Sequence, residues 1–250
     1  MAILLPTGTS GSENSRYKNN FQTFIKAYHD MKRTITTLVV FGLVLLFAVR
    51  GQAQGTIKVA CIGNSITEGA GLETPYPEAL QALLGDGYEV RNYGIGGRTL
   101  LKKGDFPYWN ERKYQEALDW EADIVIIKLG TNDTKPQNWK FKDEFVSDYV
   151  ELVKSFKKSP SKPQVYVCYP VPVFEDKGGI NETAVKNEVL PAVKKVAKKT
   201  KVRTIDLYAP FLGKSDLTYD GIHPNDAGAA LLAQLVYQAL SVSTANQKVY

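Results

Sequence analysis

The feature that most restricts this chain is a regular alternation of two periodicities. Strand-like runs recur at 57–62 (IKVACI), 88–93 (YEVRNY), 123–129 (DIVIIKL), 164–169 (QVYVCY) and 202–207 (VRTIDL). Helix-like segments fill the gaps, at roughly 75–84, 108–120, 140–157 and 183–200, and a strongly amphipathic one closes the series at 226–240. Three of the strand runs are almost wholly apolar, as expected of strands with helices over both faces of the sheet. The alternation predicts an α/β domain: a three-layer α/β/α sandwich around a mainly parallel five-stranded sheet, in the flavodoxin-like order 2-1-3-4-5. Ligand sites of such sheets form at the carboxyl ends of the strands. The segments that follow the first three strands, GNSITEG, GIGGRT and GTNDTKP, are all rich in small polar residues and should share one rim.

The first of these poses a choice. The run Val59-Ala60-Cys61-Ile62 stops at Gly63-Asn64-Ser65. Ser65 can be an ordinary helix N-cap, or a nucleophile presented at the strand end. A serine nucleophile needs a base, a group to orient the base, and donors for an oxyanion. The chain has two histidines, His29 near the N-terminus and His223 in DGIHPNDAG. Asp220 stands three residues before His223, close enough to hold its Nδ1. Taken singly, each signal has a plain structural explanation. Asp-x-x-His is common, GIGG lacks the third glycine of a dinucleotide loop, and the Asn132 of GTND suits a turn.

Taken together and in order, the blocks resemble the SGNH (GDSL-type) hydrolases. GNSIT is similar to the first block, NYGIGGRT to the second, GTND to the third and DGIHP to the last. The resemblance covers about residues 57–240 and implies the SGNH hydrolase fold. It also implies a Ser65–His223–Asp220 triad and an oxyanion hole made by the backbone of Ser65, the backbone of Gly97 and the side chain of Asn132. No metal or organic cofactor is implied. One departure stands out: the family's usual Gly-Asp-Ser reads Gly63-Asn64-Ser65 here. Asn keeps the short hydrogen-bonding side chain a turn needs, so activity is expected to persist, with room for an altered pH dependence.

The N-terminal region has a different character. Met31-Lys32-Arg33, the apolar run LVVFGLVLLFAV (38–49) and the small residues before Gln54 form the three parts of an export signal. The apolar run is shorter than the ~20 residues of a spanning helix. Residues 31–53 therefore read as a signal peptide cut after Ala53. Residues 1–30 read as an N-terminal extension without clear periodicity, and 54–250 as the hydrolase domain. The expected location is secreted or periplasmic, with no stable membrane insertion after cleavage; a retained anchor is the alternative. Residues 1–53 hold six Lys/Arg and two acids of the chain's 31 and 26, so the remainder carries only +1. That near-neutrality argues against nucleic acid as a partner. Cys61 and Cys168 fall on the first and fourth strands; with the third strand between them they should stay reduced.

The rim also supplies hints of a substrate. Arg98, Lys135 and Trp139, with Trp109 nearby, suit a hydroxyl-rich or anionic sugar better than a lipid tail. GGRT and GTNDTKPxNW are similar to secreted carbohydrate acetylesterases, including sialate O-acetylesterase-like proteins. The expectation is a serine esterase acting on O-acetyl esters of carbohydrate, sialate or polysaccharide. The rival readings are a lysophospholipase or acyl thioesterase of the same fold, and a non-catalytic carbohydrate-binding protein.

Overall fold

The computed structural model describes residue 18, residues 20–34 and residues 55–247, with side chains to 242. The expected signal segment lies outside the described residues beyond Thr34, as does most of the expected extension. Residues 20–34 form a helix, where the sequence shows no amphipathic period. Its residues are exposed apart from Ile25, so local propensity and contacts such as Lys32 Nζ over the Tyr28 ring (4.9 Å) support it without a buried face. No described helix is long and apolar enough to cross a membrane.

Residues 55–250 form a separate compact unit. Its strands are β1 (Ile57–Gly63), β2 (Tyr88–Gly94), β3 (Ile124–Lys128), β4 (Gln164–Tyr169) and β5 (Arg203–Asp206). They pair in the order β2-β1-β3-β4-β5, all parallel. The major helices are α1 (Tyr76–Leu84), α2 (Arg112–Asp119), α3 (Phe145–Lys157), α4 (Leu190–Thr200) and α5 (Asp226–Gln247). The strand period of two sorts the side chains onto opposite faces. Val125 and Ile127 join Ile62, Val167, Leu152, Phe156 and Val193 under α3 and α4. Ile126 joins Val59, Cys61, Tyr166, Leu80, Leu232 and Val236 under α1 and α5. The three-layer sandwich follows from that division.

Two expected helices differ in detail, each for a local reason. The 108–120 segment breaks at Glu111, which is extended (φ −89°, ψ 142°) and separates a 3₁₀ turn, Tyr108–Asn110, from α2. The Glu111 carboxylate is taken by Arg98 at 2.7 Å. The 183–200 segment starts at the Asn181 cap, passes through a π-helical turn at Val185–Val189, and becomes α4 only at Leu190. Pro191 has no N–H for the preceding turn, and a wider turn accommodates that loss.

Cys61 and Cys168 are free and buried, on strands separated by β3. Lys128, at the carboxyl end of β3, is fully buried, and its Nζ has no hydrogen-bond partner among the described residues. Burial pushes its pKa down to about 7, a fall that the Cys168 thiol offsets in part. The unfolded chain therefore binds one more proton than the fold between about pH 7 and the ordinary value of 10.5. The resulting penalty on folding is full below pH 7 and fades as pH rises towards 10.5. Lys128→Met should accordingly raise stability by a few kcal/mol near pH 6.5, with a much smaller gain at pH 9.5. Denaturant midpoints of the two proteins at both pH values check this; a gain that does not change with pH would refute it.

Candidate active site

Every block that follows β1, β2 and β3 reaches the same rim. β1 ends because the chain folds back on itself: a Cβ on Gly63 would stand 2.0 Å from Thr67 Oγ1. Asn64 caps the helical turn Ser65–Glu68, its side-chain oxygen accepting from the Ile66 amide at 3.1 Å. The cap is therefore Asn64, and Ser65 is the first residue inside the turn, half-buried. Its N–H belongs to a first helical turn, where the helix itself offers no acceptor.

Ser65 Oγ lies 2.9 Å from His223 Nε2, and His223 Nδ1 lies 2.7 Å from Asp220 Oδ2. The loop before α5 enforces this line. Asp220 Oδ1 accepts from the backbone amides of Ile222 at 3.0 Å and His223 at 2.7 Å, an arrangement typical of Asx turns. Partial burial pushes the Asp220 carboxyl up, but the His223 amide and imidazole and the Ile222 amide outweigh it and hold the group below its ordinary range. An ionised Asp220 can only accept, so Nδ1 carries the proton and Nε2 presents a lone pair to the serine hydroxyl. Tyr219 stacks on the imidazole, with ring centroids 5.6 Å apart and planes inclined by 11°.

Gly97 and Asn132 line a cavity of about 300 Å³ with Ser65, Asp220 and His223. Gly97 sits at φ +77°, in the region that favours glycine. Asn132 is nearly buried, and its Nδ2 donates to the Arg98 carbonyl at 3.2 Å. One proton of that amide is thereby engaged and the amide plane set. Asn138 in turn donates from Nδ2 to the Asn132 carbonyl at 3.0 Å.

Sequence reasoning passed over the residue that joins these loops. Asp133, fully buried, accepts from the amides of Leu100 at 3.0 Å and Leu101 at 2.8 Å. Burial pushes its carboxyl up to about 6, against the opposing effect of those amides. In the sequence it reads only as the turn residue of GTND; its partners lie 32 and 33 positions away.

The structure separates the three expected substrate contacts. Lys135 lines the cavity. Arg98 is turned to Glu111 Oε1 at 2.7 Å and to the Gly96 carbonyl at 2.7 Å. Trp139 packs against Phe145, centroids 5.4 Å apart, and borders neighbouring hollows instead. Trp109 donates to the Leu100 carbonyl at 2.7 Å and braces the second loop from behind. Lys177, Gly178 and Ile180 complete the cavity wall from a segment that carries no motif. A larger hollow of about 650 Å³ lies over β2 and α2, but it holds no nucleophile–base pair.

Residues 61–231 match the profile of the GDSL-like Lipase/Acylhydrolase family. The chain is 39% identical over 217 residues to an acetylxylan esterase of Xylanibacter ruminicola, covering 78% of this chain and 45% of that protein. It thus spans less than half the length of that relative. An uncharacterized protein of Bacillus subtilis, YpmR, is 26% identical over 255 residues, covering 84% of this chain and 97% of that one. Among solved structures, the acetyl xylan esterase AlAXEase superposes with a TM-score of 0.61 at 25% identity, over 73% of this chain and 99% of that one. The carbohydrate acetylesterase Est24 of Sinorhizobium meliloti, at 23% identity, shares the fold with a TM-score of 0.58 over 75% and 99%. With its four blocks on one rim and more than half its length inside the family profile, the chain belongs to the GDSL-like lipase/acylhydrolase family.

Proposed function

We propose that this chain is a serine esterase that removes O-acetyl groups from carbohydrates. The observation that carries the reading is the unbroken hydrogen-bonded line Ser65–His223–Asp220, opening on the cavity that Gly97 and Asn132 share. His223 Nε2 takes the Ser65 proton as Oγ attacks the ester carbonyl carbon. The negative charge that develops on the carbonyl oxygen is met by the N–H groups of Ser65 and Gly97 and by the amide of Asn132. His223 then gives its proton to the departing sugar oxygen. Water, deprotonated by the same imidazole, attacks the acetyl-serine, releases acetate and restores the serine. Throughout, Asp220 keeps the Nδ1 proton in place and stabilises the imidazolium.

The carbohydrate and the acetyl group are supported by the family's acetylxylan esterase relative, and the acetyl group also by a narrow recess beside the nucleophile. A second recess beside Ser65 and His223, walled by Ile66, Ala70, Leu72, Tyr219 and Pro224, has only about 10 Å³ of room, about one water. A long acyl chain finds no matching space there.

Ser65→Ala should abolish ester turnover, by a factor on the order of 10⁶ in kcat, while the far-UV spectrum and melting stay close to those of the parent. Turnover near the parent rate would leave Ser65 as a local structural residue and end the proposal. Asn132→Ala should lower kcat by about 10²–10³-fold with KM little changed; an effect confined to KM would assign the amide to ground-state binding. Across 4-nitrophenyl acetate, butyrate and octanoate below their critical micelle concentrations, kcat/KM should fall by about tenfold or more from two carbons to eight. A rise towards octanoate, at ~0.8 kcal/mol per buried CH₂, would favour the lysophospholipase or thioesterase reading.

A further inference from the structure

Two lysines, Lys135 and Lys177, line the cavity in front of Ser65. Neither is within ion-pair distance of a carboxylate among the described residues. Three acids of the neighbouring segments have other partners. Asp220 holds His223, Asp176 accepts from Asn181 Nδ2 and the Glu182 amide, both at 2.8 Å, and Glu188 is paired with Lys142 at 2.5 Å. Arg98, which on sequence grounds belongs with the substrate contacts, is neutralised by Glu111. Lys135 and Lys177 are therefore the two cations of the cavity lining, and neither is held in an ion pair among the described residues.

Their placement is built into the backbone. Lys177-Gly178-Gly179-Ile180 is a tight turn, closed by the Ile180 amide donating to the Lys177 carbonyl at 3.0 Å. Both central residues are left-handed, Gly178 at φ +59° and Gly179 at φ +83°, as in a type I′ turn, which side-chain-bearing residues seldom adopt. A Cβ on Gly179 would stand 3.6 Å from both Lys135 Cβ and Lys135 Cγ, so the turn rests on the Lys135 stem. Its other flank is tied to the histidine loop: the Phe174 amide donates to the Gly221 carbonyl at 2.7 Å, and a Cβ on Gly221 would meet Glu175 Cβ at 2.6 Å. The Val173 amide adds a bond to Glu182 Oε2 at 2.6 Å.

We propose that Lys135 and Lys177 form a clamp for a sugar carboxylate, making O-acetylated uronic acid residues the preferred substrates of this site; the proposal rests on the carbohydrate esterase reading. A uronate differs from its neutral parent sugar by one carboxylate on the ring, so discrimination needs only a positive field at fixed distance from the acetyl carbon. Two exposed ion pairs together supply a preference of about three- to tenfold, and salt screens it as the Debye length falls from ~10 Å at 0.1 M to ~3 Å at 1 M.

The test uses matched acetylated glycosides: a methyl glucuronoside, the corresponding methyl glucoside, and the glucoside 6-sulfate. Binding is measured by calorimetry to the Ser65→Ala protein, and kcat/KM on the unmodified protein. The uronoside should bind about three- to tenfold more tightly than the glucoside at 20 mM salt, the ratio should approach one at 1 M, and the Lys135→Gln/Lys177→Gln double variant should lose it. On the unmodified protein the same ratio should enter through KM. Equal binding of uronoside and glucoside at low salt overturns the clamp, as does a ratio that survives in the double variant or a sulfate bound more tightly than the carboxylate. A binding preference without turnover of any acetyl ester upholds the clamp and rejects the esterase reading.

Discussion

The rim is held by a carboxylate that faces no substrate. Asp133, wholly enclosed, binds the amides of Leu100 and Leu101 and so joins the loop after β3 to the loop after β2. Gly97 lies three residues before one end of that bridge and Asn132 is adjacent to the other. Without the bridge, the positions of Gly97 and Asn132 would depend on the flexibility of their own loops. Such a bond is strong because the acceptor is charged and the surroundings are dry. The same dryness raises the carboxyl to about 6, which shows how heavily burial weighs on the group at this position.

The parallel sheet supplies the second part of the arrangement. Gly63 pairs with Gly94 on one side and with Lys128 on the other, so the first three strands end level. Their loops emerge side by side, and the histidine loop comes from the segment before α5, whose helix covers the face shared with β1. Four segments widely separated in sequence meet because one register aligns three of them and α5 brings the fourth. Lys128 is the side chain least at ease in that scheme: it lies sealed at the end of β3, with its amine unpartnered among the described residues.

Much of this was legible in the residues. Strand-like runs of six or seven residues declared the strands, and Gly, Asn, Ser and Thr after three of them declared the rim. Cys61 and Cys168 could be kept apart from strand order alone. What escaped the sequence depended on folding back over distance. Arg98 looks free until Glu111, thirteen residues on, takes its charge. Trp139 reads as a residue of the rim until its edge-to-face contact with Phe145 places it beside neighbouring hollows. Asp133 shows its partners only once two loops meet. Lys177 has no motif at all, and only the paired left-handed glycines beside it bring it to the cavity. The helix at 20–34 has no buried face, so no apolar period marks it in the sequence.

The contact between Glu175 and Gly221 limits how this part of the chain can change. The segment that walls the cavity and the loop that carries the base press backbone against side chain, with no slack between them. Lengthening the wall at its root would displace the His223 loop, so an insertion there would disturb the Ser65–His223 contact. The turn tip at Lys177–Gly179 has no such tether to the base. Changes of length or residue at that tip should therefore be tolerated where the same changes at the root are not, which separates a part of this fold open to variation from a part that must stay still.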